Sequence, residues 1–250
     1  MLAIWGCSSL QNVKLRHVAF VDNVNGPEVE QKGPVAQMTA PTCELQSASI
    51  VLVGQFHAPP RFHPAELALR GVLSKEDASS ATINIVASDI CDWSNDWLGI
   101  VVNKERLEAT SLKPDSYPLL KDLVLGCFSS DDSDMFHQIG FNRQMHFAST
   151  PEILGNVFGT IPVPEQMKAH GIGAKAFGAS IQIPITSRPG SILRIKYEPS
   201  IRVKVGLFVD TNEHAQVAPG SPREPILALI RDRWMSALNE ASEIAGKLAT

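Results

Sequence analysis

The chain has 250 residues, 44% of them hydrophobic and 19% charged, with a formal net charge of −4. That length suits one large domain or two small ones sharing a core, and the composition argues against disorder for most of the chain. The acidic balance argues against a generally basic nucleic-acid binder, and no apolar run reaches the ~18 residues of a membrane-spanning helix.

Residues 15–22 have strand character. Residues 23–46 carry Pro27, Pro34 and Pro41 among polar side chains, with neither helical nor alternating period. They read as an extended arm, so residues 1–48 form an N-terminal strand and arm ahead of one domain at 49–250. Residues 49–57 (SIVLVGQFH) are a β-branched apolar run, the pattern of a buried strand. His63-Pro64 opens a helix to about Leu73, with proline at the first helical position, where a missing N–H costs nothing. Residues 81–87 (ATINIVA) alternate with period two, and 97–102 and 106–111 flank Asn103-Lys104-Glu105 as a hairpin. Leu119, Leu120, Leu123, Val124, Cys127 and Phe128 recur at helical spacing.

The second half starts with a strand at 136–147. Ser149-Thr150-Pro151-Glu152 is a capping box for a short helix with Ile153, Leu154, Val157 and Phe158 on one side. Three strands are expected at about 176–186, 191–198 and 201–210. Ser221-Pro222-Arg223-Glu224 caps a helix to about Leu248, roughly 38 Å long, whose stripe is Ile226, Ile230, Trp234, Leu238, Ala241, Ala245 and Leu248.

Both halves, about 49–130 and 135–250, therefore read strand, helix, three strands, helix. The expected fold is α+β: a large, mainly antiparallel sheet with helices packed on one face. The shared order is either a pseudo-two-fold duplication or a chance likeness of two element strings. The expected core comprises Ile50, Val51, Val53, Ile83, Ile85, Leu123, Val124, Phe128, Ile230, Trp234 and Leu238.

Four cysteines (Cys7, Cys43, Cys91 and Cys127) show no CxxC spacing, which argues against a zinc ribbon, and a chain of this length needs no disulfide framework. Cys127 falls in the apolar helical run as a small buried hydrophobe. The opening MLAIWGCSS has the look of a lipoprotein cleavage box but lacks a basic start and a long apolar stretch, so a cytoplasmic address is expected.

Three groups of strings carry a resemblance. They are Val53-Gly54-Gln55-Phe56 with Phe62-His63-Pro64; Ile139-Gly140-Phe141-Asn142-Arg143 with His146-Phe147; and Glu198-Pro199-Ser200 leading to Val209-Asp210-Thr211-Asn212-Glu213-His214. Together, over about residues 49–248, they resemble a sporadically distributed, functionally uncharacterised family of prokaryotic proteins. The resemblance implies a bacterial or mobile-element accessory protein and brings no catalytic residues with it.

The densest polar cluster is Asn142, Arg143, His146, Asn212, Glu213 and His214. On a strand, Asn142, Gln144 and His146 share one face, opposite Phe141, Arg143, Met145 and Phe147. Lys204, Gly206, Phe208, Asp210, Asn212 and His214 likewise share a face. Were these two strands neighbours, His146, Asp210 and His214 would be the minimum set for a catalytic metal site; the alternative is a set of structural turn and strand residues. His57 and His63 lack a carboxylate at helical spacing, and His63 reads as a helix start. The glycine-rich His170-Gly171-Ile172-Gly173-Ala174 follows no strand, and Asp131-Asp132-Ser133-Asp134 lacks the glycine and glutamate of a calcium loop. Arg188, Arg194, Lys196, Arg202 and Lys204 fall within 17 residues, the makings of a cation row on a sheet.

No nucleophile elbow or phosphate loop occurs, and no cofactor or resident metal is called for. The first reading is a non-enzymatic interaction protein, a subunit or adaptor of a prokaryotic assembly linked to a mobile element or a defence system. Its partner would be another protein chain or a second copy, with no membrane association. The alternatives are a metal-dependent hydrolase or nuclease built on His146, Asp210 and His214, and a nucleic-acid-binding module using the basic sheet face.

Overall fold

The computed structural model describes residues 41–129, 134–159, 161, 178–218 and 222–250. They fall in one compact unit, Thr39–Thr250. The expected strand at 15–22, the arm up to residue 40, Cys7, residues 131–133, the glycine-rich 170–174 and the Ser221 cap lie outside the described residues.

The first half runs β1 (Cys43–Gln55), α1 (Pro64–Leu69), α2 (Lys75–Ser79), β2 (Thr82–Ala87), β3 (Ile90–Ser94), β4 (Gly99–Asn103), β5 (Arg106–Ser111) and α3 (Tyr117–Cys127). The second runs β6 (Met135–Ala148), α4 (Pro151–Gly159), β7 (Ala179–Pro184), β8 (Ser191–Pro199), β9 (Gly206–Gln216) and a final helix, here α5 (Glu224–Leu248). The strands form a nine-stranded sheet in the order β2-β3-β4-β5-β1-β6-β9-β8-β7. Every neighbouring pair is antiparallel. The fold is therefore α+β around a large antiparallel sheet.

Several elements form as their local chemistry dictates. His63 caps α1 through Nδ1, which accepts from the Ala65 amide, and proline follows at the first helical turn. Thr150 Oγ1 accepts from the Ile153 amide at the start of α4. In α5, Ile226, Ile230, Trp234, Leu238, Ala241 and Ala245 are buried as the spacing predicts. The helix starts differently from the expected capping box: its N-cap is Arg223, whose side chain caps nothing.

Five expectations are corrected. β1 begins at Cys43, not Ser49; its first residues pair with β6, from Cys43 opposite Phe147 to Ala48 opposite Arg143, so the domain starts inside the expected arm. A strand missing from the sequence reading, β3, lies between β2 and β4. This makes β2 the outermost strand, and its Ile83 and Ile85 are exposed rather than core. β9 starts at Gly206, not near residue 201, because the Ser200 hydroxyl accepts from the Arg202 and Val203 amides and folds that stretch into a turn. Leu119 is exposed, while its expected stripe partners Leu120, Leu123, Val124, Cys127 and Phe128 are buried.

The helices lie over one face of the sheet. There Ile50, Leu52, Ile100, Leu107, Ile139 and Phe141 meet α3, α5 and the short 3₁₀ turn Pro59–Phe62. Trp234 is fully buried, lies edge-on to Phe141 and Tyr117, and donates its Nε1–H to the Tyr117 carbonyl at 2.8 Å. A second apolar cluster, including Met145, Phe147, Leu207 and Val209, sits under α4 and the end of α5.

Between the two clusters runs a polar belt. Arg143 stacks on the Tyr117 ring at 4.6 Å and donates to Gln46 Oε1. Glu213 takes Arg233 Nη2 at 2.8 Å and Arg188 Nη2 at 3.1 Å. At the far end, Asp134 is buried and accepts from the His57 amide at 2.9 Å and from Arg61. Asp134 is thus a buried anchor between the His57–Arg61 segment and the start of β6.

Candidate functional site on the uncovered sheet face

The opposite face of the sheet carries no described helix. Strand register aligns a row of mainly small and polar residues straight across it: Gly99, Thr110, Ser49, Asn142, Asn212 and Arg194, ending at Gln182. The middle of this row is tied together by side chains, because Asn142 donates to Ser49 Oγ at 2.9 Å and Asn212 donates to Asn142 Oδ1. Gly140 makes space for it: a Cβ there would stand 2.9 Å from Asn212 Nδ2. Asn142 and Asn212 of the polar cluster thus stand side by side on neighbouring strands.

The histidines do not join them. His214 lies opposite Gly140, whereas His146 lies opposite Phe208, six residues further along β6 or roughly 20 Å. Asp210 sits between, opposite Gln144. Burial pushes its carboxyl above the ordinary value, opposed by a hydrogen bond from Gln144 and the charge of Lys196. His214 is held below the usual imidazole value by burial and then by Arg194. Register therefore separates the ends of the His146, Asp210, His214 set, and among the described residues no three His, Cys, Asp or Glu side chains gather as a metal-binding group. Arg143 and Glu213, from the same polar cluster, alternate onto the helix-covered face.

The expected cation row is broken as well. Arg194 and Lys196 share the uncovered face, but Lys196 pairs with Glu198 at 2.8 Å on its own strand. Arg188 leaves for Glu213 on the helix side, and Arg202 and Lys204 precede β9 in the turn. Further along the face, Arg106 pairs with Glu108 at 2.8 Å. The strand charges on this face are close to balanced.

His146 itself is 7% exposed and rests against the Phe208 ring, with centroids 4.6 Å apart. Its Nδ1 is 2.8 Å from Ser200 Oγ. That oxygen already accepts two backbone amides, at 3.1 and 2.9 Å, which occupy both lone pairs. The Ser200 hydroxyl hydrogen therefore points at Nδ1, and the neutral imidazole carries its proton on Nε2. Burial, and then the charge of Arg202, holds the His146 pKa below the ordinary imidazole value. Beside it is a cavity of about 300 Å³ bounded by Leu45, Gln46, Leu112, Gln144, His146 and Arg202.

Ser200, Ser49 and Gly140 were not singled out from the sequence as site residues. Strand parity already puts Ser49 and Gly140 on this face; the Ser200 contact has no local signal, since it joins residues 54 positions apart. Compared with known proteins, the chain matches no family model and no curated protein. Among the described residues no helix is long and apolar enough to cross a membrane.

Proposed function

We propose that this chain is a non-enzymatic interaction protein, a subunit or adaptor of a prokaryotic assembly linked to a mobile element or a defence system, and that its uncovered sheet face is where a protein partner docks. The observation that carries this reading is the face itself. Eight strand spacings make it about 38 Å wide, and five or six residues per strand make it roughly 20 Å deep, so the area approaches the ~800 Å² that each partner contributes to an ordinary interface. Its charges are balanced and its centre is a tethered row of hydroxyls and amides, which suits a mixed-polarity protein surface better than a phosphate backbone. The hydrolase or nuclease reading loses its grounds because register separates His146 from His214.

We also infer the pseudo-two-fold relation between the halves. The order β1-β5-β4-β3 on one side of the sheet centre is matched by β6-β9-β8-β7 on the other, with α3 and α5 following β5 and β9. β2 is the extra strand of the first half. Such an axis would pass through the antiparallel contact of β1 with β6 at the sheet centre, near the opposed Ser49 and Asn142.

Site-specific photocrosslinking in the native cell tests the docking face. Probes replacing Glu108 and Gln182 on the face should each yield a defined protein adduct, and a probe replacing Asp232, exposed on α5, should not. Adducts to nucleic acid alone, or equal labelling from all three positions, would refute the reading.

A further inference from the structure

We propose that Arg143 and Tyr117, on the helix-covered side of the sheet, bind a small monovalent anion of the halide class, which serves as counter-ion to the buried guanidinium. Arg143 stands on β6 between Ala48 of β1 and Thr211 of β9, and its guanidinium lies over the Tyr117 ring at the start of α3. Both residues are more than nine-tenths buried, Arg143 at 7% exposed and Tyr117 at 4%. Their backbones are held in place. Thr211 Oγ1 donates to the Arg143 carbonyl at 3.4 Å, and the Tyr117 carbonyl accepts from the Trp234 indole at 2.8 Å.

The guanidinium lacks partners. Nη2 donates to Gln46 Oε1, whereas Nε and Nη1, which carry three of the five N–H bonds, are buried with no acceptor. The Tyr117 hydroxyl is close enough to feel the Arg143 charge, yet it too is buried and makes no hydrogen bond of ordinary geometry. The charge is uncompensated as well. Arg233 meets Glu213 and Glu240, and Arg61 meets Asp134. Arg143 pairs with no carboxylate among the described residues, and the ionisable groups that act on it are Tyr117 and Cys43.

Neither neighbour supplies the missing charge. Burial, opposed by the Arg143 charge, raises the Tyr117 phenol and the Cys43 thiol above their ordinary pKa values, so both are neutral at pH 7. The Tyr117 ring face attracts the cation but carries no net charge. Water would take up the N–H bonds and leave the guanidinium, which does not deprotonate, as a buried charge without a counter-charge, a costly arrangement. One guanidinium calls for one negative charge. The burial of both side chains favours a bare ion over a ligand with a body. A halide accepts from N–H and O–H donors in any direction, so Arg143 and Tyr117 can hold it together. The site lies on the opposite side of the sheet from the docking face and does not rest on that reading.

The test compares thermal unfolding of the full chain in sodium chloride, sodium bromide and sodium gluconate at equal ionic strength, gluconate being too large for a buried ion site. A dissociation constant of about 10 mM would shift the folding equilibrium about 16-fold at about 150 mM halide, and the thermal midpoint should rise by about 3–6 °C over gluconate. Arg143→Met keeps the length of the side chain and removes the charge, so the difference between chloride and gluconate should vanish. Tyr117→Phe keeps the ring under the guanidinium and removes one donor, so the chloride gain should shrink while the fold is kept. Crystals grown in sodium bromide should show an anomalous peak within hydrogen-bond reach of Arg143. Equal midpoints in the three salts, an undiminished chloride gain in either variant, or the absence of that peak would each overturn the proposal.

Discussion

Truncating Trp234 to alanine should be among the most costly single changes in this protein. The side chain is fully buried where α5 crosses the sheet, edge-on to Phe141 at 5.5 Å and to Tyr117 at 6.5 Å. Removing a buried indole costs about 3–5 kcal/mol in lost transfer energy and residual cavity. The Tyr117 carbonyl, which accepts from Nε1 at 2.8 Å, loses its partner inside the core and adds about 1 kcal/mol. Alanine's better helix propensity returns about 0.5 kcal/mol. The net loss of about 4–5 kcal/mol is a large part of a typical stability of about 5–15 kcal/mol. Urea unfolding followed by far-UV circular dichroism should show it as a lower midpoint with an unchanged slope, and the thermal midpoint should fall by about 8–20 °C. Trp234→Phe keeps most of the volume and loses the hydrogen bond, so it should cost about 1–2 kcal/mol. A loss below about 1 kcal/mol for Trp234→Ala would mean that the packing of α5 described here is wrong.

Gly54→Ala should destabilise strongly, because a Cβ there would stand 2.0 Å from the Met135 carbonyl oxygen at the β1 bulge; urea unfolding reads the loss, and a neutral result would contradict that backbone approach. A chain starting at Thr39 should keep the fold, whereas one starting at Ser47 loses the Cys43, Leu45 and Gln46 pairings with β6 and leaves Arg143 without its acceptor, for about 2–4 kcal/mol by the same assay. Stability should fall as pH drops below about 6.5, the ordinary imidazole value, because burial holds His146 and His214 below it in the folded state and the unfolded chain takes up protons first. Asp210, with a raised pKa, acts in the opposite sense above pH 3.8, so the histidine contribution is read from urea midpoints between about pH 5 and 7, with and without His214→Gln. A slope unchanged by His214→Gln would contradict the placement of that imidazole.

What could be read from the sequence was what is local. The alternation in β6 put Asn142, Gln144 and His146 on one face and Phe141, Arg143 and Met145 on the other, and the structure keeps that division. The α5 stripe was legible because one helix face carries its period over 25 residues. Ile83 and Ile85 misled because strand alternation reports a face, not whether another strand or helix covers it. β3 escaped because Asp92 and Ser94 interrupt a run of only five residues. The histidines illustrate the same limit. Parity placed His146 and His214 on one face, but which residue stands opposite which is set by pairing between distant strands, and that pairing separates them.

Hydroxyl-radical footprinting of the chain, isolated and within its native assembly, tests the docking claim most directly. Val101, Leu45 and Leu112 report on the uncovered face or its rim, and Met235 and Leu119 report on the outside of the helices. The account predicts that the first three lose reactivity in the assembly while Met235 and Leu119 keep theirs; protection of the helices with an unchanged sheet face would contradict it.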